Sequence, residues 1–301
     1  MQGQRAIVAV QWGPLQGRKA VLDPGASLRV GRVDGADLMV PHDRKMSGVH
    51  FEVAWDGSVC RVKDLASLGG TLIDGEPGKT EGVLQNGGWI KAGETVFTVH
   101  VEGATPPPSD EIDSDDEDAD AETLAARAKA REELRAREAA AAIALTALLA
   151  EASERRLYAV LDAARAGRIL QLLGESVEES RSLYEGVEGE VLALEAPYLV
   201  LLPPGSRLLT SLVREGWGKR WGIYLSTPMA MGATFKELRR HLRRFLLVEE
   251  EETGERLYFR FYDPATIRTF LPASTERQRR QLLGEARILY EDACGVLQRA
   301  E

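Results

Sequence analysis

Residues 44–55 read RKMSGVHFEVAW. In this stretch Val49, Phe51, Val53 and Trp55 alternate with His50, Glu52 and Ala54, and a period of two is that of a strand with one buried face. The opening residues place Arg44, Lys45, Ser47 and His50 close together at the start of that strand. A serine near a histidine invites a nucleophile and its base, but no acidic orienter or oxyanion motif accompanies them. Basic side chains and a hydroxyl at a strand mouth suit a phosphate better, since phosphate brings nearly two negative charges and three acceptor oxygens.

Working outward, short apolar runs recur through residues 1–103: AIVAVQW, KAVLD, SLRVGR, ADLMV, SVCRVKDL, GTLIDG and ETVFTVHV. Each is bounded by Gly, Asp, Asn or Pro, the pattern of an all-β sandwich. The motifs fall in a definite order: Gly31-Arg32, Ser47 with His50, Asp64-Leu65-x-Ser67, Gly70-Thr71, then Leu84, Gly87, Ile90 and Gly93. This succession resembles a forkhead-associated (FHA) domain over residues 5–101.

The resemblance implies a sandwich whose loops at one end bind phosphothreonine peptides. It places Arg32, Ser47, Arg44, Lys45, Gly69, Gly70 and Thr71 at the phosphopeptide, and gives Gly31 and His50 the work of bracing the loops. An arginine offers phosphate a planar fork of donors, and a serine adds a hydroxyl. Two positions depart from the family pattern. Gly48 stands where an arginine is usual, and Gly69 where an asparagine contacts the peptide backbone. Arg44 and Lys45 are the candidates to replace the charge, and Asp74 and Asn86 to replace the amide. A lost hydrogen bond to a charged group costs roughly 1.5–3 kcal/mol. Two readings therefore stand: phosphothreonine recognition, and protein docking without phosphate. Thr105, in ATPPPSDE, is a candidate ligand in trans once phosphorylated.

Residues 104–122, ATPPPSDEIDSDDEDADAE, join three prolines to a run of carboxylates. That composition predicts a disordered, self-repelling linker, with capture of a basic surface as the alternative. Residues 123–154 are rich in Ala, Leu, Arg and Glu, which predicts a helical spacer. Residues 155–301 mix strand-like runs with amphipathic helices, an α/β (α+β) domain with its own core. The fold class is thus multidomain: an FHA-like all-β sandwich, an acidic linker, a helical spacer and an α/β adaptor domain.

The segments LYAVLDAARAGRI, APYLVLLPPGS, GWGKRWGIYLST, FKELRRHLRRFLLV and LYFRFYDPATIRTFL resemble the domain of unknown function carried by type VI secretion effector chaperones, or adaptors, over roughly residues 155–290. The resemblance implies a protein that holds a secreted effector and helps load it on a spike protein of the valine-glycine repeat family. It implies no enzymatic activity. Candidate effector contacts are Arg240, Arg243, Arg244, Trp217, Trp221, Arg260 and Asp263. The arginines flank an apolar helix face made by Phe235, Leu238, Leu242, Phe245 and Leu246. Structural readings stand beside these: the tryptophans and Tyr224 as core, Arg260 in an internal ion pair, and Asp263 as a helix cap before Pro264. Phe259, Phe261 and Leu257 are expected to point inward, opposite Arg260 and Tyr262.

Composition bounds the rest. Lys and Arg total 38 against 47 Asp and Glu, a net charge of −9, which disfavours nucleic acid as a partner. The two cysteines, Cys60 and Cys294, form no metal or disulfide framework and read as buried apolar residues. No phosphate-binding Walker loop, dinucleotide glycine pattern or paired-histidine zinc motif occurs, so no cofactor is expected. Ser226, His241 and Asp263 lack a nucleophile-elbow context. No apolar run approaches membrane-spanning length, and a cytoplasmic location is expected.

Overall fold

A computed structural model describes residues 3–13, 15–76, 80–108, 120–185, 192–229, 234–249 and 254–301. Residues 109–119 of the acidic segment, and most of the acidic run at 249–253, lie outside the described residues. The chain divides into two compact units: Met1–Pro106 with Gln171–Glu179, and Pro107–Leu170 with Ser180–Glu301.

The first unit is a sandwich of two five-stranded sheets. One has the order β2-β1-β10-β9-β7, with β1 Ala6–Trp12, β2 Lys19–Leu22, β7 Thr71–Ile73, β9 Trp89–Ala92 and β10 Thr95–Val101. The other has the order β4-β3-β5-β6-β8, with β3 Ser27–Gly31, β4 Leu38–Met39, β5 Phe51–Trp55, β6 Cys60–Asp64 and β8 Glu81–Leu84. Alternation decides which side faces in. Phe51, Val53 and Trp55 are buried while Glu52 and Ala54 are only partly so. Phe51 meets Phe97 of the opposite sheet edge-to-face, with centroids 5.3 Å apart, so one aromatic pair ties the layers together. Cys60 joins this core, and burial pushes its thiol pKa up to about 12. Cys294 is exposed instead, because it sits in the turn between two later strands.

The second unit is built on a six-stranded antiparallel sheet of order β12-β13-β11-β14-β17-β18. Its strands are β11 Arg156–Asp162, β12 Ser180–Ser182, β13 Pro197–Leu202, β14 Gly222–Thr227, β17 Arg287–Glu291 and β18 Leu297–Ala300. Strand β11 is buried from Leu157 to Asp162 without alternation, which requires cover on both faces. On one face Tyr158 and Val160 pack with Leu238 and Leu242 of α4 (Phe235–Arg243), Ile267 and Leu271 of α5 (Pro264–Ala273), and Leu282 and Leu283 of α6 (Glu276–Leu283). On the other lie α1 (Ala121–Glu154) and α3 (Arg207–Gly216), which pack together.

A short helix α2 (Gly167–Gly174) follows β11, and a separate ribbon pairs β15 (Leu247–Glu249) with β16 (Arg256–Tyr258). Helix α1 is more than a spacer. Its Ala141, Ala144, Leu148 and Ala152 are buried at helical spacing, whereas Leu124 and Ile143 are exposed. The expected alternation over 257–262 holds only in part: Phe261 is buried and Phe259 packs against the core, but Leu257 is 44% exposed and Tyr262 is buried as well, because β16 ends at Tyr258 and the chain then turns.

Candidate functional site

Three loops meet at one end of the sandwich, following β3, preceding β5 and joining β6 to β7. The first crossing is so close that a Cβ on Gly31 would lie 2.0 Å from the Gly48 carbonyl oxygen. Glycine is therefore required there, and the next residue, Arg32, donates its backbone N–H to the carbonyls of Ser47 and Gly48 at 3.0 and 2.8 Å. This fixes Arg32 beside Ser47. The Arg32 side chain is exposed and has no ion-pair partner among the described residues.

His50 is fully buried and joins two of the loops. Its Nδ1 accepts from the Ser47 N–H at 3.0 Å, and its Nε2–H donates to the Gly70 carbonyl at 3.1 Å. Both ring nitrogens are spent on backbone, so His50 is a brace and takes no proton from Ser47. Ser47 Oγ in turn accepts from the Leu68 N–H at 3.0 Å, which leaves its own O–H as a donor for a ligand. Gly70 holds φ +70, a conformation that L side chains rarely adopt, and aims its carbonyl at the histidine.

Carboxylates hold the remaining shape. Asp64 accepts from the Ser67 N–H (2.8 Å), Ser67 Oγ (2.6 Å) and Thr71 Oγ1 (2.5 Å). Burial pushes the Asp64 carboxyl up, but these donors outweigh it and hold it below the usual range. Thr71, expected at the ligand, is 3% exposed with its hydroxyl committed to Asp64, so it shapes the loop from inside. Sequence reasoning missed Asp43. It is 2% exposed and ties its loop to the turn before β10, accepting from the N–H groups of Lys45 and Glu94 and from Thr95 Oγ1. Burial again acts upward and is outweighed, so Asp43 is also held low. The signal lay in Asp43 standing two residues before Lys45, the spacing of an Asx turn.

Arg44 and Lys45 are exposed, and Lys45 Nζ pairs with Glu94 at 2.9 Å, an exposed pair that a bound phosphate can compete for. Neither candidate for the missing amide reaches the cradle. Asp74 accepts from the Trp89 N–H. Asn86 bonds the Val101 N–H and Glu175, within the same unit. Thr105 is likewise tied to Glu175 through its amide and hydroxyl. Gly69 leaves its space open: a Cβ there would meet only the Lys45 carbonyl, at 3.7 Å.

In the second unit the candidate effector contacts scatter. Trp217 and Trp221 are 4% and 7% exposed, and Tyr224 stacks on Trp217. They are core, as wide rings beside β14 must be to cover the sheet. Arg243 donates to the Leu183 carbonyl and pairs with Glu185. Arg240 and Arg244 are exposed, with Arg244 against His241 Nδ1.

Asp263 caps α5 by accepting from the Ala265 N–H at 3.0 Å, and it also receives Arg165 and Arg220. Burial raises its carboxyl pKa, and Arg220, the cap and Arg165 outweigh that and hold it low. Arg260 pairs with Asp162, which is 1% exposed. The internal-pair and capping readings thus describe Arg260 and Asp263. Ser226, His241 and Asp263 do not converge: Ser226 is fully buried and donates to Glu151, and His241 Nε2 meets the Leu282 carbonyl. Among the described residues no cluster suits a metal ion, and no helix is long and apolar enough to cross a membrane.

Residues 28–93 match the family model described as the FHA domain, and residues 157–281 match that described as a domain of unknown function, DUF4123. No curated protein matches the chain. Among solved structures, the chain is similar to the FHA domain of the CT664 protein from Chlamydia trachomatis, at 22% identity and TM-score 0.30, covering 32% of this chain and 96% of that one. It is similar to the FHA domain of an Arabidopsis thaliana hypothetical protein at 28% identity and TM-score 0.31, covering 36% and 93%. A third similar structure comes from an analysis of phosphothreonine-dependent FHA domain interactions, at 30% identity and TM-score 0.29, covering 32% and 95%. Residues 28–93, within the β-sandwich, are thus similar to the FHA domain, and residues 157–281 to the domain of unknown function DUF4123.

Proposed function

We propose that this chain is an adaptor that holds two other proteins and makes or breaks no covalent bond. Its FHA domain takes a phosphothreonine-bearing protein, marked by a threonine kinase. Its second unit holds a secreted effector for delivery to a spike protein of the valine-glycine repeat family, as the likeness of residues 155–290 to type VI secretion chaperones implies. It works in the cytoplasm, without a cofactor, nucleic acid or membrane. The observation that carries the phosphate half is Ser47, whose oxygen accepts from Leu68 while its hydroxyl hydrogen stays available beside the exposed Arg32.

A second reading makes the chain a signalling scaffold whose output is phosphopeptide capture alone. It draws support from the second unit, where Trp217, Trp221 and Arg243 are occupied internally. Copurification of the full chain from its native cells separates the two. Effector and spike proteins in the eluate support the adaptor, kinase substrates alone support the scaffold, and an empty eluate overturns both. Phosphothreonine peptide binding is expected to fall at least about tenfold on Arg32→Ala, the worth of a charged hydrogen bond. Equal binding of phosphorylated and unphosphorylated peptide would remove the phosphate claim.

A further inference from the structure

Leu68 is 99% exposed, which is extreme for a leucine in a folded domain. It is also held in place. It lies between Ser67, bonded to Asp64, and Gly69, and its own N–H is anchored on Ser47 Oγ. The cradle thus presents an aliphatic side chain from a fixed backbone, beside the hydroxyl that would meet a phosphate. Val33, next to Arg32, is 44% exposed, and its Cγ2 stands 3.2 Å from where a Cβ on Gly48 would be. A larger residue at 48 would crowd Val33, while the Cβ site of Gly69 is open. Val33 therefore flanks Gly48, which follows Ser47, and Leu68, anchored on the Ser47 hydroxyl, precedes Gly69. The glycines offer a ligand backbone close approach and no polar clamp.

We infer that this cradle selects phosphothreonine peptides carrying an aliphatic residue beside the phosphothreonine, with Leu68 and Val33 as its specificity-determining contacts. The inference rests on the phosphate reading of Arg32 and Ser47. The occupant follows from continuity with that cradle. A ligand whose phosphate lies against Ser47 Oγ passes within reach of the residue bonded to that same oxygen, and an exposed leucine gains only by being covered with apolar surface. The aliphatic contact takes the place of the amide clamp that Gly69 lacks.

The test uses the full chain and a peptide library with a fixed phosphothreonine and varied flanks, beside its unphosphorylated counterpart. Enrichment of Leu, Ile, Val or Met at a flanking position is expected. Leu68→Asp should weaken the selected peptide about tenfold, and Val33→Asp less, whereas Leu68→Met should keep the preference. Leu68 touches solvent in the free protein, so these variants leave the fold intact, and retained thermal stability checks this. Phosphate-dependent binding with no aliphatic preference, or with no loss on Leu68→Asp, overturns the inference and leaves the phosphate reading standing. Equal binding of both libraries, or binding of neither, overturns the phosphate reading and this inference with it.

Discussion

At the residue scale, His50 shows what a motif hides. A serine and a histidine three positions apart look like chemistry in one dimension, yet both ring nitrogens are consumed by the Ser47 amide and the Gly70 carbonyl. Replacing His50 with Ala would leave that buried donor and acceptor unpaired and open a cavity. We expect a loss of about 2–4 kcal/mol, read by denaturant unfolding of the sandwich. A loss under about 0.5 kcal/mol, as at an ordinary surface site, would contradict the bracing role. Gly69→Asn tests the missing amide from the other direction. Its Cβ has room and its φ lies outside the left-handed region, so the substitution should be tolerated. On the phosphate reading, peptide affinity should rise about three- to tenfold, measured by titration. An unchanged affinity would mean that the amide is not what this cradle lacks. Arg32, Ser47 and His50 were legible because they fall in ordered motifs. Asp43 and the inward turn of Thr71 were not, since their partners come from β6 and the β9–β10 turn, distant in sequence.

At the element scale, alternation in β5 fixes its inner face, so the sandwich reads readily from sequence. Helix α1 was harder. Its buried stripe is mostly alanine, which gives little hydrophobic contrast, so nothing separated the docked half from the exposed half before the structure did. The contrast is measurable. Leu148→Ala should cost about 2–5 kcal/mol and Leu124→Ala less than about 0.5 kcal/mol, compared by thermal or denaturant melts. Equal costs would contradict the packing. At the start of α5, Asp263 serves a helix cap and two arginines at once. Asp263→Ala should therefore cost about 3 kcal/mol, and Arg165→Ala nearer 1 kcal/mol, because Arg220 still faces the carboxylate. The candidate effector contacts were least legible for a related reason. Aromatic and arginine residues mark interfaces and cores alike, and only burial separates Trp217 and Trp221 from Arg240 and Arg244.

At the scale of the whole molecule, a net charge of −9 makes acid a two-sided agent. Protonation relieves self-repulsion, yet it also removes carboxylates that hold loops in place. Asp43 and Asp64 in the sandwich and Asp263 in the second unit all sit below the usual carboxylate range, because their donors outweigh the burial that acts the other way. A carboxyl depressed in the folded state stabilises fully above its unfolded pKa, about 3.9 for Asp, and that stability is lost as pH falls through the lower folded value. The three carboxylates should therefore contribute fully above about pH 5 and lose that contribution below about pH 4, while buried His100, held below the usual histidine range by desolvation, removes stability from about pH 6.5 downward, so the plateau lies near pH 7. Asp43→Asn should lower the plateau, since with its amide oxygen kept on the Glu94 and Thr95 donors its NH₂ would face the Lys45 N–H, and should also make the sandwich's acid limb shallower. Unfolding free energies across pH 2–7 give both numbers. Parallel curves for the two proteins would mean that Asp43 is as easily protonated folded as unfolded, and would sink its role as the charged tie between the cradle and the β9–β10 turn.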